Sequence, residues 1–531
     1  IHPPFPSRLP SNNISISDIT VNPTIVLNIL LKLKTNASAG PDRLPNIFYK
    51  SAAHSLAFPL ATIFRSFIDI HDIPSEWKIS IISPKFKKGS SSDPANYRPI
   101  ALTCSICKVL ETIIVSDLLT FLQTHHLISK AQHGFLKRHS TCTNLLETLN
   151  DWTLSLSNHK SVLAAYVDFS RAFDSLSHAK LLHKLSGYGI TGNLFLFIEA
   201  FLSNRSQLVR LSLVLSSPLP VISGVPQGSV LGPLLFILFI NDISDNFDNN
   251  VIPKLFADDI KLYTEVTLPS ASQNFQILLD YIQNWATLWQ IGISYSKCFI
   301  INLGQRCNDN SFKFLTNTIT KSDLVKDLGI LIEPNLKFDR HIHDLISRAN
   351  QRAALVHRSF LSRDVFNLIR AFKTYIRPIL EYSSPAWSPC LINQINALES
   401  VQRKFTKRLP SFGELTYAER LTNLKLQSLE HRRLMIDLIT VFKIVHGLVS
   451  LSFQDFFTFS PNVHSSRGHS LRFSVPLTRT NTRKFFFASR VINSWNSLPD
   501  KIVSSPNTQS FKNKLSKFDL SKHLIHPCIL H

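Results

Sequence analysis

Two adjacent carboxylates, Asp258 and Asp259, are the residues of this sequence that most directly suggest chemistry. They lie between short apolar runs at residues 251–252 and 260–263, and this pattern predicts a β-hairpin with both acids at its tip. Neighbouring carboxylates repel each other, so an ordered turn that contains both favours a bound cation. Carboxylate oxygens suit Mg²⁺, which binds one or two carboxylates together with the phosphates of a substrate. The alternative is a solvated Asp-Asp turn without a chemical role.

A third carboxylate, Asp168, lies at the end of another predicted strand, residues 162–167. It precedes Asp258 by 90 residues (258 − 168), so only the fold can bring the two together. Three carboxylates in one place could hold two metal ions about 3.5–4 Å apart, and such a pair stabilises the attacking and leaving oxygens of an in-line phosphoryl displacement. The acids therefore predict a two-metal site, provided that the fold unites them.

The charge balance of the 531 residues is strongly basic. Lys and Arg outnumber Asp and Glu by 57 to 36, which gives a net charge of +21. This excess indicates a polyanionic partner, above all nucleic acid, because cations that neutralise phosphates release counterions. The hydrophobic content of 44% supports buried cores. The longest apolar run, near residues 230–240, contains Pro233 and is too short to cross a bilayer, so we expect no membrane partner.

The seven cysteines are scattered and odd in number, which predicts an intracellular, reducing compartment rather than a disulfide framework. Cys104 and Cys107 form one CxxC pair without a second pair at zinc spacing, so we expect buried thiols in a helix. The chain starts at Ile1 and its single methionine is Met435. We therefore expect that it begins inside a longer reading frame, and we see no targeting segment.

Three long motifs resemble the active-site motifs of reverse transcriptases from non-LTR, LINE-type retrotransposons. They are Phe-Ala-Asp-Asp at 256–259, Val-Asp-Phe-Ser-Arg-Ala-Phe-Asp at 167–174, and Gly-Val-Pro-Gln-Gly-Ser-Val-Leu-Gly-Pro-Leu-Leu-Phe at 224–236. Their order and spacing are those of the family, and the segment at 375–382 is similar to the CR1/jockey-like lineages. The resemblance implies RNA-directed DNA synthesis, in which a primer 3′-OH attacks the α-phosphorus of a dNTP.

The resemblance also implies roles for the acids and for one aromatic ring. Asp168, Asp258 and Asp259 would be the catalytic residues and would bind two Mg²⁺ ions, with Mn²⁺ as a possible substitute. Phe173 matches the steric gate of the family, whose ring would clash with a ribose 2′-OH and so select deoxynucleotides. An ordinary buried Phe is the alternative for this position.

The remaining implied contacts are to the nucleotide, the template and the primer. Arg98 and Lys85 would hold the incoming triphosphate as cations, and Gln227 would hydrogen-bond the nucleotide. Gly224 and Gly228 would let the backbone pass close to a template base, where a side chain would block it.

Two further positions are placed near the primer and the leaving group. Lys297 resembles a lysine that protonates the leaving pyrophosphate, and we group it with the template and primer contacts. Gly329 lies in the segment 325–331, which resembles the hairpin that grips the primer end. The segment 132–135 resembles another family motif near the template, and His133 in it is predicted to be structural or to face RNA.

The resemblance implies an α+β fold, a right-hand polymerase with fingers, a palm with an antiparallel sheet, a helical thumb and a mostly helical C-terminal extension. The predicted domains are an N-terminal extension (1–64), fingers and palm (65–332), thumb (333–450) and a basic, aromatic C-terminal extension (451–531). In that last segment we expect the Phe residues to form a core and the cations, such as Arg483 and Arg490, to contact RNA.

Three other functions share part of this pattern. A group II intron-type or telomerase-like polymerase would have the same palm, and a decayed retrotransposon copy would bind RNA without catalysis. An RNA-dependent RNA polymerase is disfavoured, because such enzymes typically have Gly before the Asp pair and lack the Phe173 gate. The expected partners are an RNA template, a DNA primer or target, and dNTPs, in the nucleus and cytoplasm as the family implies. The motifs indicate no particular oligomeric state.

Overall fold

The computed structural model describes residues 14–245, 247, 250–266, 271–304, 311–461 and 468–525. The first residue, Ile1, and the cysteines Cys307 and Cys528 lie outside the described residues. No helix in the described ranges is both long and apolar enough to span a membrane.

The part of the chain before residue 333 alternates helices and strands. Its helices are α1 (Pro23–Leu31), α2 (Asn46–Ser51), α3 (Ala53–Ile70), α4 (Ser105–Thr124), α5 (Thr141–Ser157), α6 (Ala172–Ser175), α7 (His178–Gly187), α8 (Gly192–Leu202), α9 (Gly232–Ile240) and α10 (Ala271–Trp289). Its strands are β1 (Ile79–Phe86), β2 (Tyr97–Leu102), β3 (Ser161–Val167), β4 (Arg205–Leu211), β5 (Val214–Leu215), β6 (Leu219–Val221), β7 (Val251–Phe256), β8 (Asp259–Val266), β9 (Phe299–Leu303), β10 (Lys313–Phe314), β11 (Asn317–Thr318), β12 (Thr320–Lys321), β13 (Val325–Asp327) and β14 (Ile330–Ile332).

Two sheets organise this part. The first sheet has the order β2-β1-β4-β5, with β6 also paired to β4, and its β1–β4 pair is parallel. The central sheet has the order β12-β9-β3-β8-β7 and is antiparallel except for the β12–β9 pair. Strands β13 and β14 form a separate two-stranded hairpin. The predicted mixture of α and β structure is confirmed.

The part after residue 332 is helical. It contains α11 (Asp339–Ser359), α12 (Val365–Ala371), α13 (Arg377–Glu381), α14 (Ser384–Trp387), α15 (Ile392–Lys407), α16 (Tyr417–Asn423), α17 (Leu429–Val445), α18 (Phe453–Phe456), α19 (Asn481–Lys484), α20 (Phe487–Arg490), α21 (Ile492–Asn496), α22 (Asp500–Val503) and α23 (Thr508–Leu515). A π-helical turn, Phe372–Ile376, joins α12 to α13. The apolar residues of α15 recur at helical spacing, which predicts one packed face, and Ile395, Leu398, Val401 and Phe405 are indeed buried.

Two hydrophobic cores lie on opposite faces of the central sheet. Along β3, Leu163 and Ala165 belong to the first core, which the helices before residue 320 complete. Val162 and Ala164 belong to the second core, which the C-terminal helices complete. Successive side chains of a strand point to opposite faces, so one strand serves both cores. Residues on both sides of the predicted boundary at 450 share the second core, as the stacked rings of Phe442 and Phe511 show.

Two predicted element boundaries are wrong. The apolar pattern of residues 17–34 predicts a helix over that range, but the helix begins only at Pro23, because Asn22 caps its first turn by accepting a hydrogen bond from the Ile25 N–H. The pattern of residues 207–215 predicts one strand, but the strand is interrupted after Leu211, where Ser212 takes a positive φ of 55°. By contrast, the expectation for the CxxC pair is confirmed, since Cys104 and Cys107 are buried free thiols.

Candidate active site

The Asp258–Asp259 pair lies at the tip of the β7–β8 hairpin, as the apolar pattern predicts. Phe256 pairs with Asp259 across the hairpin, so Ala257 and Asp258 form a two-residue turn. Ala257 has a φ of 56°, a left-handed conformation in which primed hairpin turns place at least one residue. The turn therefore projects two consecutive carboxylates from the end of a buried strand pair.

The pairing of β3 with β8 brings Asp168 to the same end of the sheet. Val167 is registered against Ile260, so Asp168 and Asp259 are the next residues of the two strands at the hairpin tip. The backbone of Asp168 is fixed from the other side, because its carbonyl accepts a hydrogen bond of 2.8 Å from the Ser294 N–H. The fold thus unites acids that are 90 residues apart in the sequence (258 − 168).

An open cleft of about 530 Å³ lies against these acids. Asp168 and Asp259 form part of its wall, and the β13–β14 hairpin forms another part through Lys326 and Leu328. A volume of this size is in the range of small-molecule and cofactor sites. The cleft therefore offers space for a ligand beside the acids.

The three carboxylates act on one another electrostatically. Partial burial, followed by the negative charge of Asp168, raises the pKa of Asp258, whereas Lys87 and Arg98 lower it. Partial burial and the charges of Asp258, Asp168 and Asp327 raise the pKa of Asp259 to about 6. The site therefore carries negative charge that its own cations compensate only in part.

The donor set fits a hard divalent cation, but the predicted three-acid cage is not preformed. Within the described ranges, no three His, Cys, Asp or Glu side chains already stand in an arrangement that could hold a metal ion. The physical reason lies at Asp168, whose Oδ2 is 2.9 Å from the Nζ of Lys297 in an ion pair. A cation that binds Asp168 would displace this ammonium, and the raised pKa of Asp258 and of Asp259 shows that these carboxylates need a countercharge.

The basic residues of β1 and β2 face the acids. Lys85 and Arg98 are directly opposite each other in the β1–β2 pair, so their side chains lie on one face of the sheet. The charges of Arg98 and Lys87 both lower the pKa of Asp258, and Lys88 lines the cleft. The sequence favours a solvated charge run for Lys87 and Lys88, and both are exposed, yet the structure adds them to the surroundings of the cleft.

Phe173 is the second residue of α6, which follows β3, and is only partly buried. Its ring stacks on Phe236 at 4.2 Å between ring centroids and meets Phe135 edge to face at 6.1 Å. The Nε2 of Gln227 donates a hydrogen bond of 2.9 Å to Asp174. The ring and the amide are thus held in fixed positions by neighbours within this region.

The part of the sequence that forms this site is similar to known proteins. Residues 85–326 match the family model described as reverse transcriptase (RNA-dependent DNA polymerase). The chain is 27% identical over 418 residues to the RNA-directed DNA polymerase from mobile element jockey of Drosophila melanogaster, covering 76% of this chain and 45% of that protein. It is 26% identical over 399 residues to the probable RNA-directed DNA polymerase from transposon X-element of the same species, covering 72% of this chain and 43% of that protein.

Residues 85–326 are therefore similar to reverse transcriptases, and the relatives are RNA-directed DNA polymerases of mobile elements. The jockey protein of Drosophila funebris is similar to the same extent, at 27% identity over 76% of this chain and 45% of that protein. The resemblance to non-LTR retrotransposon polymerases is therefore confirmed. The chain spans about 45% of the length of the two jockey relatives.

Gly224 and Gly228 have a structural role that differs from the predicted one. A Cβ at Gly228 would lie 2.1 Å from the carbonyl oxygen of Ala101, and a Cβ at Gly224 would lie 2.5 Å from that of Phe173. Both glycines also have positive φ angles, 148° and 78°. The close approach that excludes a side chain is thus to the chain's own backbone, and contact with a template base stays a prediction.

Gly329 forms the turn of the β13–β14 hairpin together with Leu328. Their φ angles of 94° and 44° are both positive, as a two-residue hairpin turn of the primed type requires. The hydroxyl of Tyr382 donates a hydrogen bond of 2.9 Å to the carbonyl of Leu328. The helical part of the chain therefore holds this hairpin tip in place.

The segment 132–135, which the resemblance places near the template, supports the β7–β8 hairpin from behind, a role that sequence reasoning did not identify. The Oε1 of Gln132 accepts hydrogen bonds from the N–H groups of Ala257 (3.0 Å) and Gly134 (2.7 Å), and the His133 N–H donates to the Leu255 carbonyl at 2.9 Å. A Cβ at Gly134 would lie 2.3 Å from the Ala257 nitrogen. His133 is buried, so the structural alternative for it is confirmed.

The prediction that the C-terminal cations contact RNA is wrong for two arginines. Arg490 donates hydrogen bonds to both carboxylate oxygens of Asp437, at 2.9 and 3.0 Å. The guanidinium of Arg483 is buried and donates to Asn150 and Thr153, at 2.8 and 3.1 Å. These guanidinium groups are used inside the protein and are therefore not available to a phosphate backbone.

Proposed function

We propose that this chain is an RNA-directed DNA polymerase that extends a DNA primer on an RNA template with dNTPs. The observation that carries this proposal is the union of Asp168 with the Asp258–Asp259 tip beside an open cleft. The reverse transcriptase family match over residues 85–326 supports the same reaction. The exposed cations of β1 and β2 supply the countercharge that a triphosphate needs.

In the proposed reaction, the primer 3′-oxygen forms a bond to the α-phosphorus while the bond to the pyrophosphate oxygen breaks, and the proton of the 3′-hydroxyl passes to solvent water. Two Mg²⁺ ions, or Mn²⁺, held by Asp168, Asp258 and Asp259 would lower the pKa of the primer hydroxyl and offset the charge on the leaving oxygen. Lys297 forms an ion pair with Asp168, and we infer that it gives a proton to the pyrophosphate once it is released from that carboxylate.

The other predicted site residues bind or select the nucleotide. Arg98 and Lys85, which share one face of the first sheet, bind the triphosphate as a pair of cations. The ring of Phe173, held against Phe236, excludes a ribose 2′-OH by contact. The Nε2 of Gln227 is held by Asp174 and its carbonyl accepts a hydrogen bond from the Ala101 N–H, so its side-chain oxygen is the atom that we assign to the nucleotide.

We assign the parts of the right-hand architecture to the observed layers. The first sheet and the helices around it are the fingers, and the central sheet is the palm, within residues 65–332. The helices of 333–450 are the thumb, and 451–531 is the C-terminal extension. Support comes from α15, where Lys404, Lys407 and Arg408 are exposed beside the buried stripe, as expected for a helix that lies along a duplex.

A primer-extension assay with Mg²⁺ tests the proposal. The wild-type chain, given an annealed DNA primer on an RNA template and the four dNTPs, is expected to make full-length DNA. Asp258→Ala is expected to lower the extension rate by about 10³-fold or more, because an aimed electrostatic group is lost from the reacting centre. Affinity for the RNA–DNA duplex, measured by filter binding, should change by about 2-fold or less, since affinity comes mainly from phosphate contacts.

A matched control is Asp344→Ala, which removes an exposed carboxylate of α11 that forms an i,i+4 pair with Arg348. This variant should extend the primer at the wild-type rate. Wild-type protein that binds RNA but adds no nucleotide would point to a decayed copy. Full activity of Asp258→Ala on the RNA template would contradict the proposed catalytic site.

A further inference from the structure

A buried ion pair links the catalytic hairpin to the β13–β14 hairpin. The Nζ of Lys261 is 2.6 Å from the Oδ2 of Asp327, and both side chains are less than a tenth exposed. Asn144 completes the surroundings of the ammonium by accepting a hydrogen bond of 3.2 Å. Because Lys261 follows Asp259 by two residues in β8, both side chains lie on the same face of the central sheet.

Asp327 also contacts the other strand that carries a catalytic acid. The hydroxyl of Tyr166 donates a hydrogen bond of 3.1 Å to the same Oδ2, and Tyr166 precedes Asp168 by two residues in β3. Tyr166 and Lys261 are directly opposite each other in the β3–β8 pair. One carboxylate therefore binds both catalytic strands at equivalent positions, two residues from their acids.

The ion pair joins two different sheets at the cleft. Lys261 and Asp327 both line the cleft that also contains Asp168 and Asp259. Strands β13 and β14 are not part of the central sheet, so no main-chain ladder sets the position of Asp327 relative to the acids. The charge of Asp327 also contributes to the raised pKa of Asp259.

A buried ion pair is a poor device for stability alone. Removal of two charges from water costs about as much as their attraction returns, and an apolar pair of similar volume often serves as well or better. An ion pair with two further hydrogen bonds, however, fixes distance and direction more strictly than apolar contacts do. The role of the Lys261–Asp327 pair is therefore to fix a geometry rather than to add stability.

We propose that Asp327, through Lys261 and Tyr166, is a positioning residue that sets the β13–β14 hairpin at a fixed distance from the catalytic acids. This inference rests on the proposed polymerase function. A hairpin set in this way aligns a primer 3′-end with the acids, and a displacement of about 1 Å in such an alignment can cost about 100-fold in rate. The pair therefore affects the rate of nucleotide addition, not the affinity for dNTP.

The double variant Lys261→Met/Asp327→Leu separates positioning from folding. It removes both charges together and leaves no unpaired one, so the thermal unfolding midpoint is expected to stay within about 3 °C of the wild type. Single-nucleotide addition to an RNA–DNA primer–template is expected to show kcat reduced by about 10- to 100-fold, while the KM for dNTP stays within about 2-fold. A purely structural pair would leave kcat unchanged in a folded variant.

The matched control is the buried pair Lys184–Asp242, which has the same 2.6 Å separation and lies away from the cleft. Lys184→Met/Asp242→Leu should keep the wild-type kcat wherever it folds. Tyr166→Phe provides a second, milder test that removes only one hydroxyl, and we expect kcat to fall several-fold with an unchanged unfolding midpoint.

Wild-type kcat in the folded Lys261→Met/Asp327→Leu variant would overturn the inference. If that variant does not fold, wild-type kcat in Tyr166→Phe would overturn it instead. A rise in the KM for dNTP with unchanged kcat would also overturn it, because the pair would then act on the nucleotide. Failure of the wild-type chain to extend any primer would instead refute the proposed function, so the two failures are distinguishable.

Discussion

The cleft and the C-terminal helical region use charged side chains in opposite ways. At the hairpin tip beside the cleft, partial burial and the charges of the neighbouring acids raise the pKa of Asp258 and of Asp259. In the C-terminal region, Arg490 and Asp437 neutralise each other through two hydrogen bonds. Charges that satisfy one another build the structure, whereas a group of like charges left facing solvent requires a partner from outside.

Arg490→Met tests the C-terminal half of this comparison and should have the largest effect on stability. The change leaves the buried carboxylate of Asp437 without its countercharge, and such losses typically cost about 3–5 kcal/mol. The expected result is a large fall in the thermal unfolding midpoint, or insoluble protein. Circular dichroism during heating measures it.

Arg479→Met is the control for that variant, because Arg479 is an exposed cation of the same segment. Its unfolding midpoint should equal that of the wild type. If Arg490→Met were stable and instead bound RNA more weakly, the original prediction of an RNA contact would be restored.

Asp259→Asn tests the cleft half of the comparison and should raise the stability of the protein, whereas Arg490→Met lowers it. The pKa of Asp259 is raised to about 6, so folding favours its protonated form. Its contribution to stability is present below the unfolded-state value near pH 4 and is lost as the pH rises through about 6. At pH 7.5 without divalent metal, we expect Asp259→Asn to be more stable than the wild type by about 1 kcal/mol, after allowance for solvent screening.

Two conditions sharpen this test in thermal unfolding measurements. At pH 5 the advantage of Asp259→Asn should shrink, because the wild-type carboxyl is then largely protonated. Addition of Mg²⁺ at pH 7.5 should stabilise the wild type more than the variant, since a cation that binds the folded acids adds to stability by mass action. A variant less stable than the wild type in EDTA at pH 7.5 would show that the acids do not repel one another significantly.

Lys407→Ala concerns a third kind of charge, an exposed cation of α15 that no described group neutralises in an ion pair, and should have the smallest effect. Affinity for an RNA–DNA duplex is expected to fall a few-fold, and the slope of log affinity against log salt should decrease by just under 1. Fluorescence anisotropy at several salt concentrations measures both quantities. Lys313→Ala, an exposed lysine of β10, serves as the control, and an equal effect of the two variants would mean that only net charge matters.

The elements that carry the acids could be predicted because their signals are local. The apolar runs around Asp258 and the strand before Asp168 have periodicities that extend over only a few residues, and the structure confirms both elements. The packed face of α8 is likewise visible in the 3.6-residue period of its apolar residues, and Phe197, Ile198 and Phe201 are buried.

The partners of polar side chains could not be predicted, because they are distant in the sequence. Gln132 supports a turn 125 residues away, and Lys261 pairs with an acid 66 residues away. Nothing near Arg490 in the sequence identifies Asp437 as its partner, so the cation was assigned to RNA. A local pattern reveals which face a residue occupies, but only the fold reveals which charge it meets.

Because the two faces of strand β3 belong to two different cores, a premature stop codon in this reading frame would affect the sheet itself. A stop codon after residue 332 would remove the C-terminal helices of the core that contains Val162, Ala164 and Tyr263, and would leave α5 as the remaining helix of that core. Much of this side of the sheet that carries the acids would then be exposed to water, and exposed apolar strands associate with one another. Shortened products are therefore expected to precipitate.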